Sequence, residues 1–278
     1  MNCLITGGAG FIGSHIAERL LKDGHRVWIV DDLSAGYESN IPDGATFIRG
    51  NIIHPQVYRD VLKNIDVVYH NAASKKNVCL SDPPYDLEVN GKATLRLLME
   101  CVDAGVKRFV HASTGSVYGE TDRITESTLC NPVSYYGVSK LAGERYANMF
   151  RDKMEVSILR YFHVYGDGQE DDAYLGGVVA IFKKMHAYGN PLVIHGDGNQ
   201  MRSFTHVDDI VEANMLVRGG VYNVASGYYT SILELADMVG GDKIFRDALE
   251  GDIYNFNIDN SKIKTLGIKF KRINDYFC

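Results

Sequence analysis

The chain has 278 residues, 45% of them hydrophobic and 23% charged, proportions of a globular protein that exclude a disordered or collagen-like chain. Its 29 basic and 35 acidic residues leave a net charge of −6, so the basic face that a nucleic acid requires is missing and no nucleic-acid partner is expected. No apolar run approaches the ~18 residues of a membrane span, and the first six residues lack a basic leader; the expectation is a cytoplasmic protein without a membrane partner.

The elements are read in chain order. A first strand at Leu4-Ile5 runs into Thr6-Gly7-Gly8-Ala9-Gly10-Phe11-Ile12-Gly13, and a helix with Ile12, Ile16 and Leu20 on one face follows. Glycines at G-x-x-G-x-x-G spacing between a strand and a helix form a dinucleotide fingerprint. Gly7 permits the sharp turn, Gly10 lets backbone amides approach a pyrophosphate, and Gly13 allows close helix–strand packing. The unsatisfied amides of the helix start favour phosphate.

The second strand, Val27 to Val30, ends at Asp31, eighteen residues beyond Gly13, where a carboxylate accepts the adenosine ribose hydroxyls. Asp31-Asp32-Leu33-Ser34 offers no Lys or Arg for a 2′-phosphate, so NAD is the expected cofactor rather than NADP. Further runs at Phe47-Ile48, Val67 to Tyr69, Phe109-Val110 and Val156 to Leu159 alternate with helix-length stretches, one with Leu95, Leu98, Met99 and Val102 as its apolar line. That alternation predicts a doubly wound parallel α/β (Rossmann) domain over residues 1–163.

Within it, Ser113-Thr114-Gly115-Ser116-Val117-Tyr118-Gly119 follows the strand ending at His111-Ala112, and strand carboxyl ends are where such sheets hold ligands. Tyr136-Gly137-Val138-Ser139-Lys140 lies in a helix predicted to run to about Phe150, with Tyr136 and Lys140 on one face at i, i+4. An adjacent ammonium and a nicotinamide cation favour phenolate, and lowering a phenol from its ordinary pKa of about 10 to near 7 takes roughly 4 kcal/mol. Beyond residue 163 glycines cluster and helices such as Val178 to Tyr188 lack clear strand partners. A second, smaller α+β domain is expected over most of 164–278, the chain returning to the first around 203–225. Five cysteines without a C-x-x-C pair read as reduced thiols, and no metal site is expected.

Taken together, the motifs resemble the extended short-chain dehydrogenases/reductases, in the NAD-dependent sugar-nucleotide epimerase/dehydratase family. The likeness continues through Val68-Tyr69-His70-Asn71-Ala72-Ala73, Val89-Asn90-Gly91, Asn131-Pro132-Val133-Ser134, Leu159-Arg160-Tyr161-Phe162, Gly196-Asp197-Gly198, Arg202 to Asp209 and Tyr222-Asn223-Val224. It is most similar to the UDP-glucose (UDP-galactose) 4-epimerase branch. The resemblance implies Tyr136 as catalytic base, Lys140 as its partner and cofactor clamp, and Thr114 as the hydroxyl residue. It implies a cofactor held by Gly7, Gly10, Phe11, Ile12, Gly13, Asp31, Asp32 and Ser34, with Asn51 and Ile52 beside adenine. Ala72 and Ala73 would line the pyrophosphate, with Lys75 and Asn90 near the nicotinamide end. The substrate side comprises Lys75, Thr114, His163, Gly177, Val178, His195, Arg202 and Arg246, with Arg202 on the diphosphate of a nucleotide-sugar.

Five departures from the family pattern stand out. Asn51 replaces the usual Asp, and Gly115-Ser116 replaces the acids that dehydratases and decarboxylases carry after the threonine. His163 stands where Asn is common. Leu249-Glu250-Gly251-Asp252 lacks the usual second arginine, for which Arg246 is the candidate substitute, and the final helix is short. The expected reaction is C4 epimerisation of a nucleoside-diphosphate sugar, UDP-linked by preference, through a transient 4-ketone, in a homodimer. The alternatives are an NAD(P)H-linked sugar-nucleotide reductase, a dehydratase or decarboxylase, and a non-catalytic NAD-binding regulator.

Overall fold

A computed structural model describes residues 1–74, 76–169, 177–248 and 257–277. The first part runs β1 (Asn2–Thr6), α1 (Phe11–Lys22), β2 (Arg26–Asp31), β3 (Thr46–Arg49), α2 (Arg59–Leu62), β4 (Val67–His70), α3 (Lys76–Ser81), α4 (Pro83–Leu87), α5 (Thr94–Asp103), β5 (Arg108–Thr114), α6 (Tyr135–Met149) and β6 (Glu155–Tyr161). Then come β7 (Val164–Tyr165), α7 (Val178–Ala187), β8 (Leu192–His195), β9 (Met201–Ser203), β10 (Thr205–His206), α8 (Val207–Leu216), β11 (Gly220–Val224), β12 (Tyr229–Ser231), α9 (Ile232–Val239), β13 (Lys243–Arg246) and α10 (Ser261–Lys264).

Seven parallel strands form the central sheet in the order β11-β6-β5-β4-β1-β2-β3. Side chains alternate across it as strand geometry requires. Cys3 and Ile5 pack with Ile16 and Leu20 of α1 and Ile210 of α8, while Leu4 joins the opposite layer with Leu97 of α5 and Ala147 of α6. β1 is thus covered on both faces, which is why it reads as a continuous apolar run. The doubly wound sheet expected from the sequence is present. A separate apolar cluster gathers α7, α9 and β8 around Phe182, Ile194 and Leu235, beside small two-stranded sheets. β11 returns to the edge of the main sheet and pairs with β6.

One helical face differs from expectation. On α5 the buried residues are Thr94, Leu97, Leu98 and Cys101, and Met99 is 49% exposed. Both lines satisfy helical spacing in this sequence. A π-helical turn at Glu88–Ala93 leads directly into α5, and the extra residue it accommodates turns the second line inward.

Under the sheet lie two buried histidines. His70 bonds Thr6 Oγ1 at 2.7 Å and Thr94 Oγ1 at 2.9 Å, and the His111 ring lies 5.3 Å from it. Burial, then Lys140, hold His70 down to about 3 and His111 well below the imidazole range. The unfolded chain takes up these protons near pH 6.5 and the folded chain does not, so stability is lost as pH falls below that value, by up to about 1.4 kcal/mol per unit for each ring. Asp209, raised by burial to about 6, acts in the opposite sense below that pH. Denaturant midpoints at pH 7 and pH 5 should therefore differ less in His111→Met than in the parent, where Asp209 is common to both. Equal differences would contradict the assignment.

Candidate active site and cofactor cleft

The strand order reverses at β1 and β4, where successive connections leave in opposite directions, and α/β sheets form their crevices at such points. A cavity of about 890 Å³ opens there, lined by the β1–α1 turn, the end of β2, Asn71 to Ser74 after β4, Ser113 at the end of β5, and Tyr136 and Lys140 of α6.

The glycines of the turn have separable duties. A Cβ on Gly7, whose φ is +71°, would stand 2.6 Å from the Ala72 amide nitrogen, and one on Gly13 would stand 2.2 Å from the Gly7 carbonyl oxygen. Both positions are closed by the protein itself. A Cβ on Gly10 would meet only Gly7 O, at 3.4 Å, and would otherwise project into the cleft. The space at Gly10 is therefore kept for a ligand, beside a helix start that favours phosphate, and the residues present fit NAD.

At the end of β2, Asp31 accepts hydrogen bonds from Ala9 N (2.9 Å) and Leu33 N (2.8 Å). Burial raises its carboxyl above the ordinary value, against the lowering by these two bonds. Leu33 adopts φ +61°, a left-handed conformation uncommon for a branched residue, and the Asp31 bond to its amide holds it there. Asn51 donates to Asp32 Oδ2 at 2.6 Å and to the Tyr85 hydroxyl at 3.0 Å. This accounts for the departure from Asp at that position: a carboxylate at 51 would face Asp32, whereas the amide binds it.

The candidate catalytic residues come from β5 and α6. Ser134 caps α6 through the Gly137 amide, which fixes Tyr136 in the first turn. Thr114, capping the short 3₁₀ turn Gly115–Val117, accepts from Ser116 N and donates to Ser116 Oγ at 3.2 Å, and it lies near enough to the Tyr136 hydroxyl to favour its ionised form. Lys140 donates to Ala112 O at 2.7 Å. Burial pushes Lys140 down to about 8, opposed by Glu144 and Asp86. The Tyr136 phenol is driven up to about 12 by burial, then by Asp86 and Cys79, with Thr114 opposing. Here the sequence expectation needs correction: the i, i+4 spacing does place Tyr136 and Lys140 on one wall, but the ammonium points to a β5 carbonyl, so the protein alone favours the neutral phenol.

Residues 3–225 match the sequence profile of the NAD dependent epimerase/dehydratase family. The chain belongs to this family. It is 35% identical over 283 residues to a putative UDP-glucose 4-epimerase of Methanocaldococcus jannaschii, covering 96% of this chain and 92% of that one. Among solved structures it is similar to the Thermotoga maritima UDP-glucose 4-epimerase with UDP-glucose (TM-score 0.95, 31% identity, 100% of this chain and 96% of that one). It is also similar to the Thermus thermophilus UDP-glucose 4-epimerase with NAD (TM-score 0.91, 32% identity, 100% and 99%). The expectation of an NAD-dependent sugar-nucleotide epimerase is thus borne out by the family and its named members, and NAD is the cofactor.

Against that family background, Gly7, Gly10, Phe11, Ile12, Gly13, Asp31, Asp32, Ser34, Asn51, Ile52, Ala72, Ala73, Tyr136, Lys140, His163 and Gly177 all line the cavity. Asn90 does not. It is buried behind the wall, accepting from Ser74 N and donating to Asp86 and Ser139, and so shapes the cleft through Ser74. Thr114 is not among the lining residues either; its chain neighbour Ser113 is. Val178 opens α7 next to Gly177. His195 and Arg246 are register partners on β8 and β13 and do not line this cavity, and Arg246 is exposed. Arg202 lies on β9, only 7% exposed, with one guanidinium nitrogen on Met201 O. Lys75 and Leu249 to Asp252 lie outside the described residues. His163 has φ +40°, and Asn and His are both enriched in that region, so one backbone demand explains why either residue serves there. Sequence reasoning missed Tyr37, Asn40, Tyr85 and Gln169 on the cavity wall; each reaches it from a loop or short helix with no motif of its own.

Gly10→Ala and Gly13→Ala separate the two glycine duties. Gly10→Ala should keep the melting temperature, with a cost within about 1 kcal/mol, yet lose roughly tenfold or more in NAD affinity by calorimetry. Gly13→Ala should melt far lower, because backbone must move. NAD should also bind far more tightly than NADP, and Asp31→Ala should narrow that gap; unchanged discrimination would remove Asp31 from the ribose.

Proposed function

We infer that the protein interconverts C4 epimers of a nucleoside-diphosphate sugar, UDP-linked by preference, with Tyr136 as the proton acceptor. The observation that supports this reading is that Tyr136 and Lys140 line the same cleft as the glycine turn and Asp31, with Thr114 directly after the lining residue Ser113. NAD, when bound, supplies reversible hydride exchange, oxidising the sugar 4-carbon to a ketone and reducing it from the opposite face, so no second substrate is consumed. Tyr136 takes the proton of the 4-hydroxyl and gives it back. Thr114 donates to the same oxygen and orients it. Lys140 is still largely charged at neutral pH and shares the cavity wall with Tyr136, and a bound nicotinamide cation would lower the cost of the phenolate that burial raises.

Elimination chemistry is disfavoured by packing as well as by composition. A Cβ at Gly115 would lie 2.2 Å from the Phe162 ring, so an acidic side chain cannot enter at that position while Phe162 keeps its place. On the substrate side, the buried Arg202 is assigned to the diphosphate, and Arg246 with His195, outside the cofactor cleft on β13 and β8, to the nucleotide end. Two copies associate through α5 and α6, where Met99, Val138 and Met149 are exposed apolar residues. Sedimentation should give twice the chain mass, and Val138→Asp should reduce it to one.

With UDP-glucose, UDP-galactose and their N-acetyl and uronic forms in turn, mass spectrometry and sugar analysis should find C4 epimers of unchanged mass and no net reduced cofactor. Main products lacking water or carbon dioxide would overturn the reading. Tyr136→Phe should fold and bind NAD normally while turnover falls about 100- to 10,000-fold, the usual cost of losing a general base. Arg202→Ala should raise the apparent KM roughly 10- to 150-fold with NAD affinity intact.

A further inference from the structure

Three motif fragments that the reaction does not use, Ser-Val-Tyr, Leu-Arg-Tyr and Tyr-Asn-Val, meet in a single buried network. Ser113, Arg160 and Asn223 are register partners across β5, β6 and β11, so their side chains form one polar row on the same face of the sheet. Glu144 of α6 descends onto this row. Its Oε1 accepts from Ser113 Oγ at 2.5 Å and Arg160 Nε at 2.9 Å, and its Oε2 accepts from Arg160 Nη2 at 2.6 Å. Arg160 Nη1 donates to the Tyr118 hydroxyl at 2.7 Å, and that hydroxyl donates to Asn223 Oδ1 at 2.7 Å. Glu144 is 1% exposed.

A buried ion pair is a poor way to stabilise a core. Well-packed apolar residues of similar volume commonly serve as well or better, while losing one partner costs several kcal/mol. What the pair does here follows from its position. Ser113 precedes Thr114 in the chain and lines the cavity, and Glu144 lies one helical turn beyond Lys140. The network therefore fastens the strand end that bears the hydroxyl to the helix that bears the phenol and the ammonium.

We propose that Glu144, clamped by Arg160, is a positioning residue that holds Ser113–Thr114 against the Tyr136–Lys140 face and places a carboxylate one turn behind Lys140. The role rests on the assignment of Tyr136 and Lys140 to the chemistry. The titratable groups that face Lys140 are Glu144 on its own helix, Asp86 from α4, His70 from β4 and His111 from β5. With both rings neutral, Glu144 and Asp86 are the two carboxylates that keep the ammonium protonated against burial. Removing Glu144 lets its pKa fall further.

The test compares the parent, Glu144→Gln, and the double variant Glu144→Gln with Arg160→Met. The pH dependence of Lys140 acylation by a small anhydride, read by peptide mass mapping, needs no substrate. Its midpoint should fall by roughly one pH unit in both variants. The single variant should melt lower, since Arg160 stays buried without its counter-charge, and the double variant should regain most of that loss. If the single variant does not fold, the double variant carries the test. On an active substrate, the alkaline limb of kcat should move with the Lys140 midpoint, with KM within about twofold of the parent, as expected for a loss confined to the chemical step. An unchanged midpoint in the folded variants, or a kcat that recovers with the melting temperature, would reduce the network to packing and overturn the proposal. A parent inactive on every UDP-sugar whose variants still shift the midpoint would instead overturn the reaction and leave the positioning role standing.

Discussion

The contact between Gly7 and Ala72 governs this site. β1 and β4 are neighbours in the sheet but their chains depart in opposite directions, and the crevice between those departures is only as wide as the two backbones allow. A hydrogen at Gly7, rather than a methyl, lets the β1–α1 turn lie directly on the segment after β4. The Thr6–His70 hydrogen bond pins the two strand ends at the same level. From that level, the phosphate-favouring helix start, the Asp31 loop and the α6 helix all face a common volume.

Electrostatically the cleft is unfinished. Tyr136 is held neutral and Lys140 is weakened, both chiefly by burial, and nothing among the described residues compensates the phenol fully. A site built this way is arranged in shape before it is arranged in charge. The same dryness that makes the phenolate costly without cofactor makes any cation that enters beside it more effective.

Much of this was legible in the chain. The strands at Leu4-Ile5, Val27 to Val30 and Val67 to Tyr69 announced themselves because a parallel sheet covered on both faces needs unbroken apolar runs, and the glycine turn and the Tyr136–Lys140 spacing depend only on local geometry. The α5 face was misjudged by one position because two apolar lines overlap and a π-helical turn, which leaves no compositional mark, chose between them. Tyr85 and Gln169 were missed because each meets the cavity only through tertiary folding. Asn51 and His163, which read as departures, make sense only beside Asp32 and with a left-handed backbone, facts that a single position does not reveal.

The contact of Gly115 with Phe162 bears on how such an enzyme changes trade over evolutionary time. A carboxylate at the position after Thr114 is not one nucleotide change away in any useful sense, because its first carbon would arrive inside an aromatic ring of the core. Phe162 in turn packs with Val117, Tyr118, Ile124, Ala225 and Ile258, so relocating it disturbs a cluster that joins distant parts of the chain. The surroundings of the glycine thus act as a ratchet: a descendant that eliminates water would first have to drift at Phe162, where selection sees stability rather than chemistry.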